Sequence, residues 1–152
     1  MLLYRISKQT YARDIEGLGS KLYGGRWNNI GIPCIYTSES RALAILEYAV
    51  NIELIMVPKK LAITIYEAPE DTFFNSTTNN LPPDWKDSPA PFSTKEYGSK
   101  LFLNISYLGL KLPSAIVQGE FNYLINPLSS KLTLLKIIGV EDFIFDQRIK
   151  RL

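Results

Sequence analysis

Apolar residues come in short runs, broken by polar and proline-bearing stretches, and this rhythm predicts a mixed fold. LLYRI, Leu2 to Ile6, reads as a first strand carrying Arg5. A polar stretch from Ser7 to Asn29 includes GLGSKLYGGRWNN, whose glycines predict a long ordered loop. PCIYT, Pro33 to Thr37, predicts a short strand, and Ser38 is placed to cap a helix running to about Asn51. Leu43, Leu46 and Val50 give that helix its apolar stripe, and Glu47 falls within it, so the carboxylate is expected to point inward.

LAITIYEAP from Leu61 predicts a second strand ended by Pro69. Glu70 to Pro91 is rich in Asn, Thr, Asp and Pro, the composition of an extended connection with little regular structure. A helix is expected from Ser93 to Leu103, with Ser93 and Glu96 at capping-box spacing. A strand from Ser114, another in NYLINP, and two more at Leu132 to Ile138 and Phe143 to Phe145 complete the chain. Strands and helices do not alternate strictly, which places the fold in the α+β class with a largely antiparallel sheet.

Composition narrows the function classes. The 152 residues suit a single domain, with 46% hydrophobic and 21% charged residues, as in an ordinary globular protein. Seventeen basic against fifteen acidic side chains leave a net charge of +2, too little for the basic stripe of a nucleic-acid binder. Part of that excess, Arg148, Lys150 and Arg151, reads as a solvated tail. The single cysteine, Cys34, excludes an internal disulfide and a multi-thiolate metal site. No signal peptide or transmembrane stretch is apparent, so a cytoplasmic location is expected, away from membranes. Histidine is absent altogether, which removes zinc–histidine sites, serine–histidine triads and histidine-pair ribonuclease chemistry.

What remains is carboxylate, arginine, tyrosine and serine. Glu47, on an apolar helix face, is either functional or tied into a core ion pair. Arg26 follows two glycines that let the backbone approach a ligand, and its planar fork suits phosphate; a structural arginine is the alternative, as it is for Arg5. Tyr36 ends its strand just before the Glu47 helix, where both side chains can reach one pocket, although a half-buried sheet tyrosine also fits. Ser114 has no histidine to activate it and is not read as a nucleophile. Trp27 and Cys34 read as packing residues. No metal site is expected. This inventory suits cleavage of a glycosidic bond through an oxocarbenium-like transition state, with a carboxylate facing the sugar and arginine holding a pyrophosphate.

GGRWN at Gly24 to Asn28, IYTSES at Ile35 to Ser40, LEYAV at Leu46 to Val50 and LPSAIVQGEFNYLINP at Leu112 to Pro127 together resemble the RES family in the same order over nearly the whole chain. The family is named for an arginine, a glutamate and a serine, and Arg26, Glu47 and Ser114 fit those positions. The resemblance implies an ADP-ribosyltransferase-like fold, with small sheets forming a central cleft between flanking helices. It further implies a toxin that degrades NAD as substrate, needs no cofactor, and is neutralised by an Xre-type antitoxin, with a homodimer inside that complex. On this view Arg26 holds phosphates, Tyr36 orients the nicotinamide end and Glu47 stabilises the ribosyl cation. Arg5, Ser114 and Asn122 are then substrate-binding residues. Glu120, between Gly119 and Phe121, is expected in a turn and outside the chemistry. The longer polar connection around Asn75 to Asn80 departs from the family pattern. Two other functions compete: transfer of ADP-ribose to a macromolecule, and non-catalytic nucleotide or RNA binding.

Overall fold

The computed structural model describes residues 1–150, so Arg151 of the basic tail lies outside the described residues. Among the described residues seven strands form one sheet in the order β4-β5-β6-β2-β1-β3-β7. They are β1 (Leu2–Lys8), β2 (Ile35–Ser38), β3 (Leu61–Glu67), β4 (Phe73–Asn75), β5 (Gly109–Pro113), β6 (Phe121–Ile125) and β7 (Lys136–Phe143). All pairings are antiparallel except β4 with β5. The α+β, largely antiparallel class therefore holds, although the expected small sheets are joined as one.

The join is narrow. β1 pairs with β3 along its full length, from Leu2 with Glu67 to Lys8 with Leu61. Its pairing with β2 is reduced to Tyr4 opposite Ser38. Beyond that point the two central strands separate, and Arg5, Ile6, Cys34, Tyr36 and Thr37 line a cavity in the gap. Two hydrophobic clusters flank the gap. Trp27, Cys34, Leu110 and Leu124 pack on the β5-β6-β2 side, with Tyr36 against them, while Ile6, Ala44, Ala49, Leu61 and Ile63 pack on the β1-β3 side. A third cluster, with Leu3, Ile35, Tyr66, Tyr123 and Ile125, ties both halves together. Side chains alternate across a pleated sheet, so β6 sends Leu124 to one face and Tyr123 and Ile125 to the other.

Helix α2 (Arg41–Asn51) packs on both β1 and β2 and so covers the gap. Its cap is Ser40 rather than Ser38: Ser40 Oγ accepts from the Leu43 N–H at 3.1 Å, while Ser38 still belongs to β2. A serine cap of this kind stabilises a helix by about 1 kcal/mol. The expected stripe of Leu43, Leu46 and Val50 is corrected to Leu43, Ala44 and Ala49, with Leu46 and Val50 exposed. Small alanines let the helix sit close to the sheet, and that rotation turns Glu47 toward the cavity.

Other boundaries also shift. The Ser7–Asn29 loop contains a short helix, α1 (Leu18–Tyr23), entered through Gly17 at φ +65°. The connection after β3 contains β4, a three-residue edge strand too short to announce itself. Helix α3 (Phe92–Phe102) has Pro91 at its cap, and the capping box does not form. Ser93 instead donates to Asp84, and Glu96 accepts from Asn29 Nδ2. β5 stops at Pro113, leaving Ser114 in the turn that follows. The two strands expected near the end are one, β7, preceded by a 3-10 turn over Leu132–Leu134.

Candidate active site

The cavity between β1 and β2 is open to solvent, with about 690 Å³ of empty space including its mouth. Among the described residues, Arg5 and Glu47 are the charged side chains in its lining; the remainder is aromatic, amide, hydroxyl, thiol or apolar. A largely uncharged cleft with a few converging polar groups is the usual form of a small-molecule site. Among the described residues no group of His, Cys, Asp or Glu is arranged to hold a metal ion.

Glu47 is held from two directions. Ser114 Oγ donates to Glu47 Oε1 at 2.8 Å, and Asn122 Nδ2 donates to the same oxygen at 2.5 Å. Ser114 has its own anchors, since its Oγ accepts from the Ile116 and Val117 N–H groups at 3.2 and 3.1 Å. With both acceptor positions taken, the hydroxyl hydrogen is directed to the carboxylate. Asn122 is anchored through Oδ1, which accepts from Ser38 Oγ at 2.7 Å. The second carboxylate oxygen, Oε2, accepts no hydrogen bond from the described residues, so it is the one available to a ligand. Neutral donors hold Glu47, and among the described residues none forms with it the core ion pair that sequence alone left open.

Tyr36 faces the cavity from β2, but its hydroxyl is fully engaged. It donates to Asn28 Oδ1 at 2.7 Å and accepts from the Trp27 N–H at 2.9 Å. Burial pushes this phenol well above the usual tyrosine range, with the neighbouring Cys34 adding to the effect. Tyr36 thus offers its ring to a ligand and its hydroxyl to the Gly24–Asn29 loop. Asn28 is fully buried and completes that loop by donating to the carbonyls of Ser20 and Ile32 at 2.9 and 2.8 Å. Gly25 is obligatory: a Cβ there would stand 2.5 Å from Tyr36 Oη and 2.9 Å from Asn28 Oδ1.

The two arginines differ in position. Arg5 lines the cavity, and its Nη1 makes one long bond, 3.4 Å, to the Asp14 carbonyl. Its charge also opposes the rise that burial imposes on the Cys34 thiol. Arg26 is outside the lining; its Nη1 donates to the carbonyls of Trp85 and Asp87 at 2.9 and 2.8 Å. Its positive charge still reaches the Tyr36 hydroxyl.

The RES domain profile matches residues 2–146 of this chain. The chain belongs to the RES domain family. A protein of Photorhabdus laumondii named Toxin Res is 36% identical over 152 residues, covering 98% of this chain and 97% of the relative. A Sphingobium protein named Prs ADP-ribosylating toxin is 34% identical over 147 residues, covering 94% and 91%. Among solved structures, the M. tuberculosis MbcT–MbcA toxin–antitoxin complex contains a chain that superposes with a TM-score of 0.76. That match covers 98% of this chain and 88% of the other at 16% identity, a likeness of fold.

Within this RES domain, Arg5, Tyr36, Glu47 and Asn122 line one cavity, and Ser114 joins them through Glu47. Arg26 is set back behind Tyr36. Glu120 lies in the Ser114–Phe121 turn, with Gly119 at φ +86°, as its neighbours implied. Trp27 is buried core, and Arg148 at the tail pairs with Asp146 in an exposed bridge. Sequence reasoning missed Ser38 and Asn28, both buried and both bonded to site residues. Each lay inside a quoted motif, and the only further signal was a polar residue in an apolar setting.

Proposed function

We propose that this RES domain is the toxin of a toxin–antitoxin pair and acts by cleaving the nicotinamide–ribose bond of NAD. The observation that carries the reading is Glu47, whose Oε1 is fixed by two donors while Oε2 is left to face a substrate. In NAD the bond to be broken joins the ribose carbon to a pyridinium nitrogen. As it breaks, the nitrogen takes the electron pair and leaves as neutral nicotinamide, so no acid is needed on the leaving group. The positive charge passes to the sugar, where a preorganised carboxylate stabilises it. Oxygen of water or phosphate then bonds to the ribose carbon and releases its proton. This chemistry needs no histidine and no metal cofactor.

Tyr36 supplies a flat wall for the nicotinamide, Asn122 and Ser114 orient the carboxylate, and Arg5 supplies a cation for the pyrophosphate. Arg26 contributes with the donors its two carbonyl bonds leave over. The names of the relatives and the toxin–antitoxin complex among the solved structures support a protein antitoxin as partner. An Xre-type antitoxin, a homodimer within the complex and a cytoplasmic location belong to the same proposal.

Transfer of ADP-ribose to a macromolecule is a second reading, favoured by one relative being named an ADP-ribosylating toxin. The same bond breaks and only the acceptor differs. The deciding experiment incubates pure protein with adenine-labelled NAD and follows nicotinamide release, soluble products and labelled macromolecules. Glu47→Gln keeps an oxygen for the donors of Ser114 and Asn122 but loses the charge, and is expected to reduce turnover about 10²–10³-fold. Full toxicity of that variant with NAD left intact would favour a binding module over an enzyme, whereas full NAD consumption by it would take Glu47 out of the chemistry. Label appearing on a macromolecule with wild type would favour transfer.

A further inference from the structure

Ser38 lies at the single point where β1 and β2 still pair, opposite both Tyr4 on β1 and Asn122 on β6. It is 3% exposed and lines the cavity, and its Oγ donates to Asn122 Oδ1 at 2.7 Å. That bond fixes the direction of the Asn122 amide. The two ends of an amide have nearly the same shape, but only the NH2 end can donate to Glu47. With the amide reversed, Oδ1 would face a carboxylate oxygen, and two acceptors would oppose each other.

We infer that Ser38 is a positioning residue that acts on Glu47 only through Asn122, by holding the Asn122 carbonyl so that its NH2 group points at Glu47 Oε1. The relay runs from β2 through β6 to α2 and joins three elements that share no local sequence. It also complements the donor from Ser114, which approaches the same oxygen from the β5–β6 turn. Together they leave Oε2 as the oxygen that faces substrate. Without the Ser38 hydroxyl, Oδ1 loses its buried partner and the amide is no longer held against the carboxylate.

This inference rests on the reading of Glu47 as the carboxylate of NAD cleavage, and its test separates the two. Ser38→Ala is expected to lower kcat for NAD about tenfold with KM changed less than about twofold, because orientation and not ground-state binding is lost. Ser38→Thr, which keeps the hydroxyl, should restore most of the loss. In an Asn122→Ala background, Ser38→Ala should have almost no further effect, since the hydroxyl has nothing left to orient. Ser38→Cys, close in volume but a weak donor, should behave as Ser38→Ala and serves if the alanine protein does not fold. Independently of activity, the Asn122 side-chain amide protons should give distinct, slowly exchanging NMR signals in wild type that are lost in Ser38→Ala. Unchanged kcat in Ser38→Ala, or losses that simply multiply in the double variant, would overturn the inference. A wild-type protein that leaves NAD intact would overturn the functional reading instead, and an Asn122 signal indifferent to Ser38 would overturn the relay itself.

Discussion

Two regions meet on β2, where Tyr36 and Ser38 both line the cavity, and use similar residues to opposite ends. On one side, Ser38, Asn122 and Ser114 direct their hydrogen bonds along a chain that ends on Glu47, with one carboxylate oxygen left open. On the other, the groups of the Gly24–Asn29 loop bond mainly to backbone. Arg26 holds two carbonyls of a distant loop, Asn28 holds those of Ser20 and Ile32, and the Tyr36 hydroxyl closes the ring. The first region orients a carboxylate beside the cavity and the second braces the Tyr36 part of its wall; in the proposed reaction these would be the reactive group and a surface for the substrate. Polar residues in a quoted motif are therefore not equivalent: the destination of each hydrogen bond decides whether it serves chemistry or frame.

Ser114 gives the strongest test of that division because it belongs to both. Its Oγ donates to Glu47 and also accepts two backbone N–H groups that would be left unpaired in Ser114→Ala. Turnover of NAD should fall about 100-fold. Unfolding in urea should show a loss of about 1–3 kcal/mol from the two stranded donors. A stability loss with undiminished kcat would move Ser114 from the reactive side to the frame.

The arginines sharpen the comparison at smaller amplitude. Arg5→Lys keeps a charge at the cavity but removes the planar fork suited to pyrophosphate, and should raise KM for NAD about tenfold with little change in melting temperature. In Arg26→Lys the ammonium ends one bond short of Nη1, the single nitrogen that donates to both carbonyls, and the change should cost about 1–2 kcal/mol in stability while raising KM less than about threefold. Steady-state kinetics and thermal unfolding of the two variants settle the order. If Arg26→Lys gives the larger KM effect, the Gly24–Asn29 loop is a phosphate site and not only a wall.

Much of this site was legible from sequence, for reasons that differ by residue. Glu47 stood out because a helical pattern placed a carboxylate toward the sheet, although the stripe invoked for it was wrong. Leu46 and Val50 are exposed while Ala44 and Ala49 are buried, since close approach to a sheet favours small side chains over large ones. The pairing of Glu47 with Ser114 and Asn122 joins residues 67 and 75 positions apart, which no local periodicity encodes. Only the ordered motifs of the family brought them together. Strand β4 was missed because three residues in a parallel edge pairing leave no alternation to read. For Arg26 the choice between ligand and structural arginine stayed open in the sequence because its partners, the carbonyls of Trp85 and Asp87, are contributed by backbone and have no signature there.

Cys34 lies between the two regions, on the cavity lining, and should give the smallest effect of all. Burial pushes its thiol well above the usual cysteine range, with Arg5 only partly opposing, so the nucleophilic thiolate is suppressed at neutral pH. Iodoacetamide at pH 7.5 should leave the native protein unlabelled and modify the urea-unfolded chain fully, as read by mass spectrometry. The sign of the linkage follows. The folded state favours the protonated thiol, so this group's contribution to stability is fully present below the unfolded cysteine pKa and is lost as pH rises beyond it. Rapid labelling of the native protein at pH 7.5 would mean that the gap between β1 and β2 opens further than its packing implies. The wall formed by Tyr36 and its loop would then be a moving part rather than a frame.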